Sequence, residues 1–257
     1  MEVFQVTKGL PPEEKYSLVD QVRRSTGSIW RGFSLHWWGA AFGPQWLQPL
    51  LFSLELATLT ALISAVIGVP LAFAFQRYEF LGKAVVRAIT LGPLILPSLV
   101  TGIALLQFLS LMGLGRWMGF WALLIGHVVI CLPFSVRTVA ISLVAMPGNL
   151  EPAAMSLGAS PIAVLRHVTL PLVMPGMFAG MIFAFIHSFD DVNLSLFLAR
   201  PGERPLTVSI LAFLEFGFAP TLAAVSILSM LIPLALVALF GRLVGIGDFL
   251  YQEAGNG

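Results

Sequence analysis

The sequence predicts an all-α integral membrane protein, and two properties of the chain support that prediction. Hydrophobic residues make up 58% of the 257 residues and charged residues only 11%, whereas a soluble domain carries about 25% charged residues. The apolar residues also form uncharged runs of about 20 residues, the length that a helix needs to cross a bilayer. The net charge of +1 says nothing about partners, and we expect no nucleic-acid partner.

Five membrane spans are predicted from the apolar runs. They cover about residues 50–75, 89–112, 119–145, 174–199 and 220–244. Proline occurs within several of them, which membrane helices tolerate when neighbouring groups satisfy the freed backbone. A semi-apolar stretch at 206–218 precedes the last span and is not counted as one.

The two ends of the chain differ from the apolar middle. Residues 1–45 contain five basic residues and no run long enough to cross a bilayer, so they are predicted to be a polar and interfacial segment. The aromatic stretch at 30–38 is typical of rings at headgroup depth. No signal peptide is predicted. Residues 46–246 form the predicted transmembrane domain, and 247–257 a C-terminal tail.

Basic residues in the short loops predict the orientation, because they accumulate on the cytoplasmic side. One side carries Arg77, Lys83, Arg87, Arg137, Arg166 and Arg242, and the other Arg116, Arg200 and Arg204. This distribution places the loop 147–172 in the cytoplasm. Five spans then leave the basic N-terminal segment outside, which conflicts with the same rule.

The loop 147–172 is the main polar-tolerant break in the second half of the chain. It contains a predicted short helix from about 150 to 159, with the small residues Ala153, Ala154, Gly158 and Ala159 on one face. Small side chains let another backbone approach closely. We therefore predict a docking helix between two membrane spans.

The spacing of residues in this loop resembles the "EAA" loop of permease subunits in ABC importers. The residues that carry the spacing are Ala153, Ala154, Gly158, Val168, Leu170 and Pro171. The loop departs from the pattern at the glutamate, which would fall on Pro152; the nearest carboxylate, Glu151, lies one residue earlier. The resemblance implies that Glu151, Ala153, Ala154, Leu157, Gly158, Ala159, Leu170 and Pro171 form an ATPase-coupling loop.

Among such permeases the chain is most similar to the second permease of spermidine/putrescine importers. The similar segments are 32–38, 120–124, 131–134, 157–160 and 188–191. The resemblance covers about residues 30–245 and implies the MetI-like transmembrane domain of a type I ABC importer. That family has six spans, with a first helix upstream of the aromatic segment. Because this helix is missing here, we expect that either the chain begins outside or its true start lies upstream of Met1.

The resemblance implies a permease subunit of an ATP-driven importer in the bacterial inner membrane, which moves polyamines by alternating access. The implied partners are a second homologous permease, a dimer of cytosolic ATPases and a periplasmic substrate-binding protein. The sequence contains no GxxxxGK phosphate loop, so ATP hydrolysis is assigned to another subunit and this chain is not expected to be an enzyme or to hold a cofactor. Two alternatives remain: an importer permease for another small solute, or a truncated permease without function.

Candidate substrate contacts come from charged and aromatic residues in the spans. Asp190 and Asp191 are predicted in the middle of the fourth span, where a carboxylate costs about 2.5–3.5 kcal/mol on insertion scales and usually faces a cavity or a partner. They either attract a cationic substrate, cap a broken helix, or pair with Arg137 or a neighbouring subunit. Phe189 and Trp121 are candidates for cation–π contact, although an interfacial belt explains tryptophan equally well. The histidines and the single cysteine show no metal-ligand spacing.

Overall fold

The computed structural model describes residues 35–216 and 220–243, and within these ranges the chain is helical and forms no β-strand. The helices are α1 (Leu35–Ala41), α2 (Pro44–Arg77), α3 (Lys83–Leu91), α4 (Ser98–Leu111), α5 (Phe120–Ala145), α6 (Leu150–Ser156), α7 (Pro161–Val164), α8 (Leu170–Asp190), α9 (Asn193–Leu198), α10 (Leu206–Phe216) and α11 (Pro220–Leu243). The interfacial stretch at 30–34, the tail 247–257 and residues 217 and 218 of the semi-apolar stretch lie outside the described residues.

Three of the predicted spans are confirmed as long apolar helices. Helix α2 has 34 residues and begins before the predicted span. At 1.5 Å per residue it is about 51 Å long, which is longer than a hydrocarbon core of about 30 Å. Helices α5 and α11 match the predicted third and fifth spans within a residue or two. Each of these helices contains at least one interior proline, as membrane helices tolerate when neighbouring groups satisfy the freed backbone.

The second predicted span is not one continuous helix. Helix α3 continues into a short 3₁₀ turn, Gly92–Leu94, and α4 then leaves at an angle of 114°. Pro93 and Pro97 lie at the bend. Gly92, before Pro93, keeps a helical conformation, whereas Pro97 itself is extended with a ψ of 135° and α4 begins after it. The described residues therefore contain four helices that are long and apolar enough to span a membrane, and a fifth span if this broken pair is counted as one.

The fourth predicted span is shifted toward the start of the chain. Residues Pro161–Asp190 form one long helix, which includes α7, a π-helical turn at Leu165–Thr169 and α8. This helix ends at Asp190, and α9 follows after a break of two residues. The prediction that Asp190 and Asp191 lie in the middle of a span is therefore wrong. At the break, the Asp191 carboxylate accepts hydrogen bonds from the backbone amides of Leu194 and Ser195 in the first turn of α9.

Helices α2, α5 and α8 pack together as the centre of the bundle. A Cβ atom at Gly176 of α8 would lie 2.7 Å from the backbone oxygen of Thr138 on α5. One at Gly180 would lie 2.9 Å from the Cα atom of Ser135. Glycine at these two positions therefore lets the backbones of α8 and α5 touch, as small residues do between membrane helices.

The chain after α9 is fastened to the beginning of α5. The carboxylate of Glu203 accepts a hydrogen bond of 3.0 Å from the Phe120 amide, and the Arg200 guanidinium donates to the carbonyls of Gly115 and Arg116. Arg116 and Arg200 are thus gathered at the end of the bundle where α5 begins. The loop 147–172 follows the other end of α5.

Candidate functional site

The docking helix of the sequence prediction is formed as α6, Leu150–Ser156, and is shorter than the predicted 150–159. It ends because Gly158 has a φ of +90°, the left-handed conformation that glycine adopts after a helix. The amide of Gly158 bonds the Met155 carbonyl at 2.9 Å, and that of Ala159 bonds the Ala154 carbonyl at 3.1 Å. No atom lies within 4 Å of a Cβ built on Gly158. Gly158 therefore forms the turn that ends α6, and its open side leaves the close seating against another subunit as a prediction.

Apolar side chains project from this loop without cover in the described chain. Leu157 is 90% exposed, Ile162 78% and Met155 48%. Ala153 is also exposed, and Ala154 is half-buried. The loop contacts the end of α2 that carries Arg77, and the distribution of basic residues predicts that this end lies in the cytoplasm, outside the apolar core of the bilayer. A concentrated set of exposed apolar side chains in such a place indicates a protein partner.

Glu151 holds helix α6 to the rest of the subunit. Its carboxylate accepts hydrogen bonds from the Arg77 guanidinium at the end of α2 and from the buried Thr169 hydroxyl in the π-helical turn. We call Arg77, Glu151 and Thr169 the Glu151 clamp. Although desolvation alone would raise the pKa of Glu151, the hydrogen bonds from Arg77 and Thr169 and the charge of Arg77 outweigh it and lower that pKa. Arg77 and Thr169 could not be predicted as partners of Glu151, because they lie 74 and 18 residues away in the chain.

Leu170 and Pro171 lie inside the long helix rather than at the start of a span. The Leu170 amide bonds the Leu165 carbonyl, five residues back, which is the π-helical pattern. Pro171 has no amide hydrogen and cannot continue the regular hydrogen-bond ladder. The wider turn accommodates the proline, so the helix that begins at Pro161 continues through it into α8. The predicted loop 147–172 therefore includes the first turns of the long helix.

The two aspartates have different environments at the helix break. Asp191 is 7% exposed, and its Oδ2 atom accepts hydrogen bonds from the amides of Leu194 at 2.9 Å and Ser195 at 3.2 Å. Asp190 is exposed, and within the described residues no hydrogen bond or ion pair engages its carboxylate. Neither aspartate pairs with Arg137 there. Capping a broken helix, one of the three roles considered for the pair, is thus the role that Asp191 has.

A cavity of about 530 Å³ lies beside Asp190, between the helix break at 191–192 and the bend before α4. Its lining includes Ser98, Phe134, Phe183, His187, Asp190 and Asn193. The Phe134 ring stacks on Phe183 with 6.4 Å between centroids and lies 5.1 Å from the His187 ring. The cavity therefore presents one unpaired carboxylate and two phenylalanine rings.

The structure does not bring the two predicted aromatic residues to this cavity. Phe189 is only 2% exposed and stacks on Phe185 within the core. Trp121 is 56% exposed in the first turn of α5, with its ring edge-to-face against Phe120. Neither residue lines the cavity.

The aromatic residues that do line the cavity were missed by the sequence analysis. Phe183, His187 and Asp190 are spaced by four and three residues, which places them on one face of α8. Helical spacing from Asp190 would have found Phe183 and His187, whereas the adjacent Phe189 points elsewhere. Among the described residues, no group of three histidine, cysteine or carboxylate side chains could hold a metal ion.

Comparisons with known proteins agree with this architecture. Residues 46–245 match the family described as binding-protein-dependent transport system inner membrane component. The spermidine/putrescine transport system permease protein PotC of Haemophilus influenzae is 32% identical over 83% of this chain and 82% of its own length. The putrescine transport system permease protein PotI of Escherichia coli is 28% identical over 78% of this chain and 74% of its own.

A solved structure shares the fold. Inward-facing MetNI, a methionine ABC transporter, matches 78% of this chain and 94% of its own, with a TM-score of 0.66 and 19% identity. At 19% identity, this similarity shows the fold alone. Together, the family match and the relatives show that the chain belongs to the binding-protein-dependent transport system inner membrane components, as a multi-pass permease subunit of the inner membrane.

Proposed function

We propose that this permease moves polyamines such as spermidine and putrescine, and that the cavity beside Asp190 lies on their path. The observation that supports this most is the Asp190 carboxylate, exposed to the cavity and without a partner in the described chain. A carboxylate placed among apolar helices usually serves a cavity or a partner. The names of the relatives, which specify spermidine and putrescine, agree with a cationic cargo.

The chemistry of the cavity suits an alkyl chain with ammonium groups. Asp190 would supply the counter-charge for one ammonium group. The stacked rings of Phe134 and Phe183 would contact the methylene segments and attract an ammonium group by cation–π interaction, which contributes about 0.5–2 kcal/mol depending on desolvation. An anionic cargo would meet the Asp190 charge unfavourably in the same cavity. Phe134 and Phe183 thereby replace Phe189 and Trp121 in our assignment.

We propose that the loop around α6 is the contact with the cytosolic ATPase. The exposed side chains of Leu157, Met155 and Ile162 would enter a cleft of a cytosolic ATPase, and ATP-driven closure of an ATPase dimer would move the loop as a rigid body. A second homologous permease would complete the pathway, and a periplasmic binding protein would deliver the cargo. Alternating access follows when the two permeases rock about the cavity.

Uptake by the complete complex in proteoliposomes tests the proposed cargo. We expect Asp190→Asn to lower spermidine uptake at least about tenfold, because the counter-charge of the ammonium group is lost. Glu55→Gln is the matched control, since Glu55 is an exposed carboxylate on a membrane helix that does not line the cavity; it should retain uptake.

Two results would oppose the proposal. If the wild-type complex takes up another solute and no polyamine, the chain is still an importer permease but its cargo is not a polyamine. If Asp190→Asn leaves spermidine uptake unchanged, Asp190 does not contact the cargo on its path.

A further inference from the structure

A buried histidine connects both sides of the helix break beside the cavity. His127 of α5 has no exposed surface, and its two ring nitrogens are both engaged. Nδ1 lies 2.7 Å from the hydroxyl of Ser188 on α8, and Nε2 lies 2.9 Å from the hydroxyl of Ser195 on α9. The imidazole therefore bridges the helix before the break to the helix after it.

The His127 bridge joins the two ends of the segment that lines the cavity. Ser188 lies two residues before Asp190, and Ser195 lies two residues after Asn193, so fixing the two serines fixes the path of the chain between them. The Asp190 carboxylate has no partner within the described residues. Its direction therefore depends on how the backbone of this segment is held.

Other contacts hold α9 as a whole but do not span the break in this way. Leu194 lies in a notch between two helices: a Cβ atom on Gly102 of α4 would be 3.0 Å from its Cα atom, and one on Gly126 of α5 would be 2.9 Å from its Cδ2 atom. The Thr207 hydroxyl donates to the Asp191 carbonyl at 3.2 Å. His127 differs because one side chain contacts α8 and α9 together.

We propose that His127 is a positioning residue for cargo recognition: by bridging Ser188 and Ser195, it sets the direction of the Asp190 carboxylate in the cavity. The inference rests on the proposed function, because it assumes that Asp190 meets the cargo. An imidazole suits the role, since its two nitrogens face opposite ways and form one hydrogen bond on each side. A leucine fills similar space but leaves two buried hydroxyls without partners.

The test uses the reconstituted full complex with its binding protein, and putrescine and spermidine as probes. We expect His127→Leu to raise the polyamine concentration for half-maximal uptake by at least about tenfold, because one lost buried hydrogen-bond partner corresponds to about that factor and the variant loses two. ATP hydrolysis without cargo should stay at the wild-type rate. His127→Gln, which keeps a donor and an acceptor, should recover part of the loss.

A double variant separates positioning from general packing. Ser195→Ala removes only the link to α9 and should also raise the half-maximal concentration. The combination His127→Leu with Ser195→Ala should be no worse than His127→Leu alone, because both changes remove the same contact. Additive effects would overturn the bridge as the cause.

A second readout does not depend on the cargo. Asn193→Cys places a thiol on the exposed cavity wall, whereas the native Cys131 has no exposed surface. We expect His127→Leu to change the rate at which a water-soluble maleimide labels Cys at position 193 by at least about threefold, because the segment moves. If wild-type complex takes up no polyamine, the proposed function fails while this labelling still reports on the bridge.

The inference is overturned by either of two results. One is His127→Leu with wild-type labelling and wild-type half-maximal concentration. The other is a variant that only lowers the amount of assembled complex, with unchanged half-maximal concentration in the complex that remains, since that result would make His127 purely structural.

Discussion

The Glu151 clamp predicts that movement of the docking helix is passed to α2 within the same subunit. The perturbation is Glu151→Gln, which keeps the size of the side chain and removes its charge. Arg77 and Glu151 are about one-third and one-fifth exposed, so their ion pair contributes only about 0.2–1 kcal/mol. The Thr169 hydroxyl can still donate to the glutamine oxygen, but a hydrogen bond to a neutral acceptor is about 1 kcal/mol weaker than one to a carboxylate, and this loss is added.

The sum is about 1–2 kcal/mol, which corresponds to about a 5- to 30-fold change in the equilibrium constant between the clamped and released positions of α6. We therefore expect Glu151→Gln to lower the amount of cargo moved per ATP, by at most this factor. The assay measures uptake and ATP hydrolysis in the same proteoliposomes. The exchanged pair Arg77→Glu with Glu151→Arg should restore a large part of the loss, because it restores the attraction.

A second ion pair at the same end of the bundle supplies the control. Lys83 and Glu79 are four residues apart and 2.7 Å from each other, and the Glu79 side chain is 90% exposed. Glu79→Gln removes a surface pair that joins no two helices of the bundle, so the ratio of cargo to ATP should not change. Equal effects of Glu79→Gln and Glu151→Gln would refute the clamp, as would an exchanged pair that recovers nothing.

Two further predictions concern stability. Gly180→Ala should destabilise the bundle by about 1–3 kcal/mol, because the new Cβ meets the Ser135 backbone at 2.9 Å; thermal unfolding of the solubilised protein checks this, with Gly92→Ala as the neutral control because its Cβ meets nothing within 4 Å. The lowered pKa of Glu151 predicts a stabilising contribution that is complete above its ordinary value of 4.5 and is lost as the pH falls through the lowered pKa. Wild type should lose this contribution in acid, and Glu151→Gln should have none to lose; parallel unfolding curves across that window would contradict the assignment.

The sequence was sufficient for three of the five predicted spans and for the position of the short helix α6. Runs of apolar residues determine spans because lipid leaves few alternatives to a helix. The loop spacing around Ala153 and Gly158 located α6, although its last residues were misplaced because the left-handed turn at Gly158 depends on local backbone geometry. In the sequence, Gly158 and Ala159 fit a continued helix with a face of small residues as well as they fit a turn that ends the helix.

The helix breaks were harder to predict, and they determine the cavity. Pro93 and Pro97 indicated a kink but not an angle of 114°. Asp191 looked like one of two equivalent carboxylates, yet only its bonds to the amides of α9 distinguish it from Asp190. Such a cap becomes visible once the chain is folded, since the sequence around it is apolar and continues a helical pattern.

Contacts between distant segments could not be predicted from the sequence. Arg77 and Glu151 are separated by 74 residues, and His127 and Ser195 by 68. Periodicity describes one helix at a time and says nothing about which polar residues meet across the bundle. The clamp and the histidine bridge are therefore findings of the structure alone.

The most direct test of the central claim is ATP hydrolysis by the reconstituted complex with its binding protein, measured against putrescine, spermidine, amino acids and anions. If the permease couples polyamine transport to ATP hydrolysis, the rate of hydrolysis rises with putrescine or spermidine and not with the other solutes. A rise with an amino acid or an anion, and none with a polyamine, would contradict it.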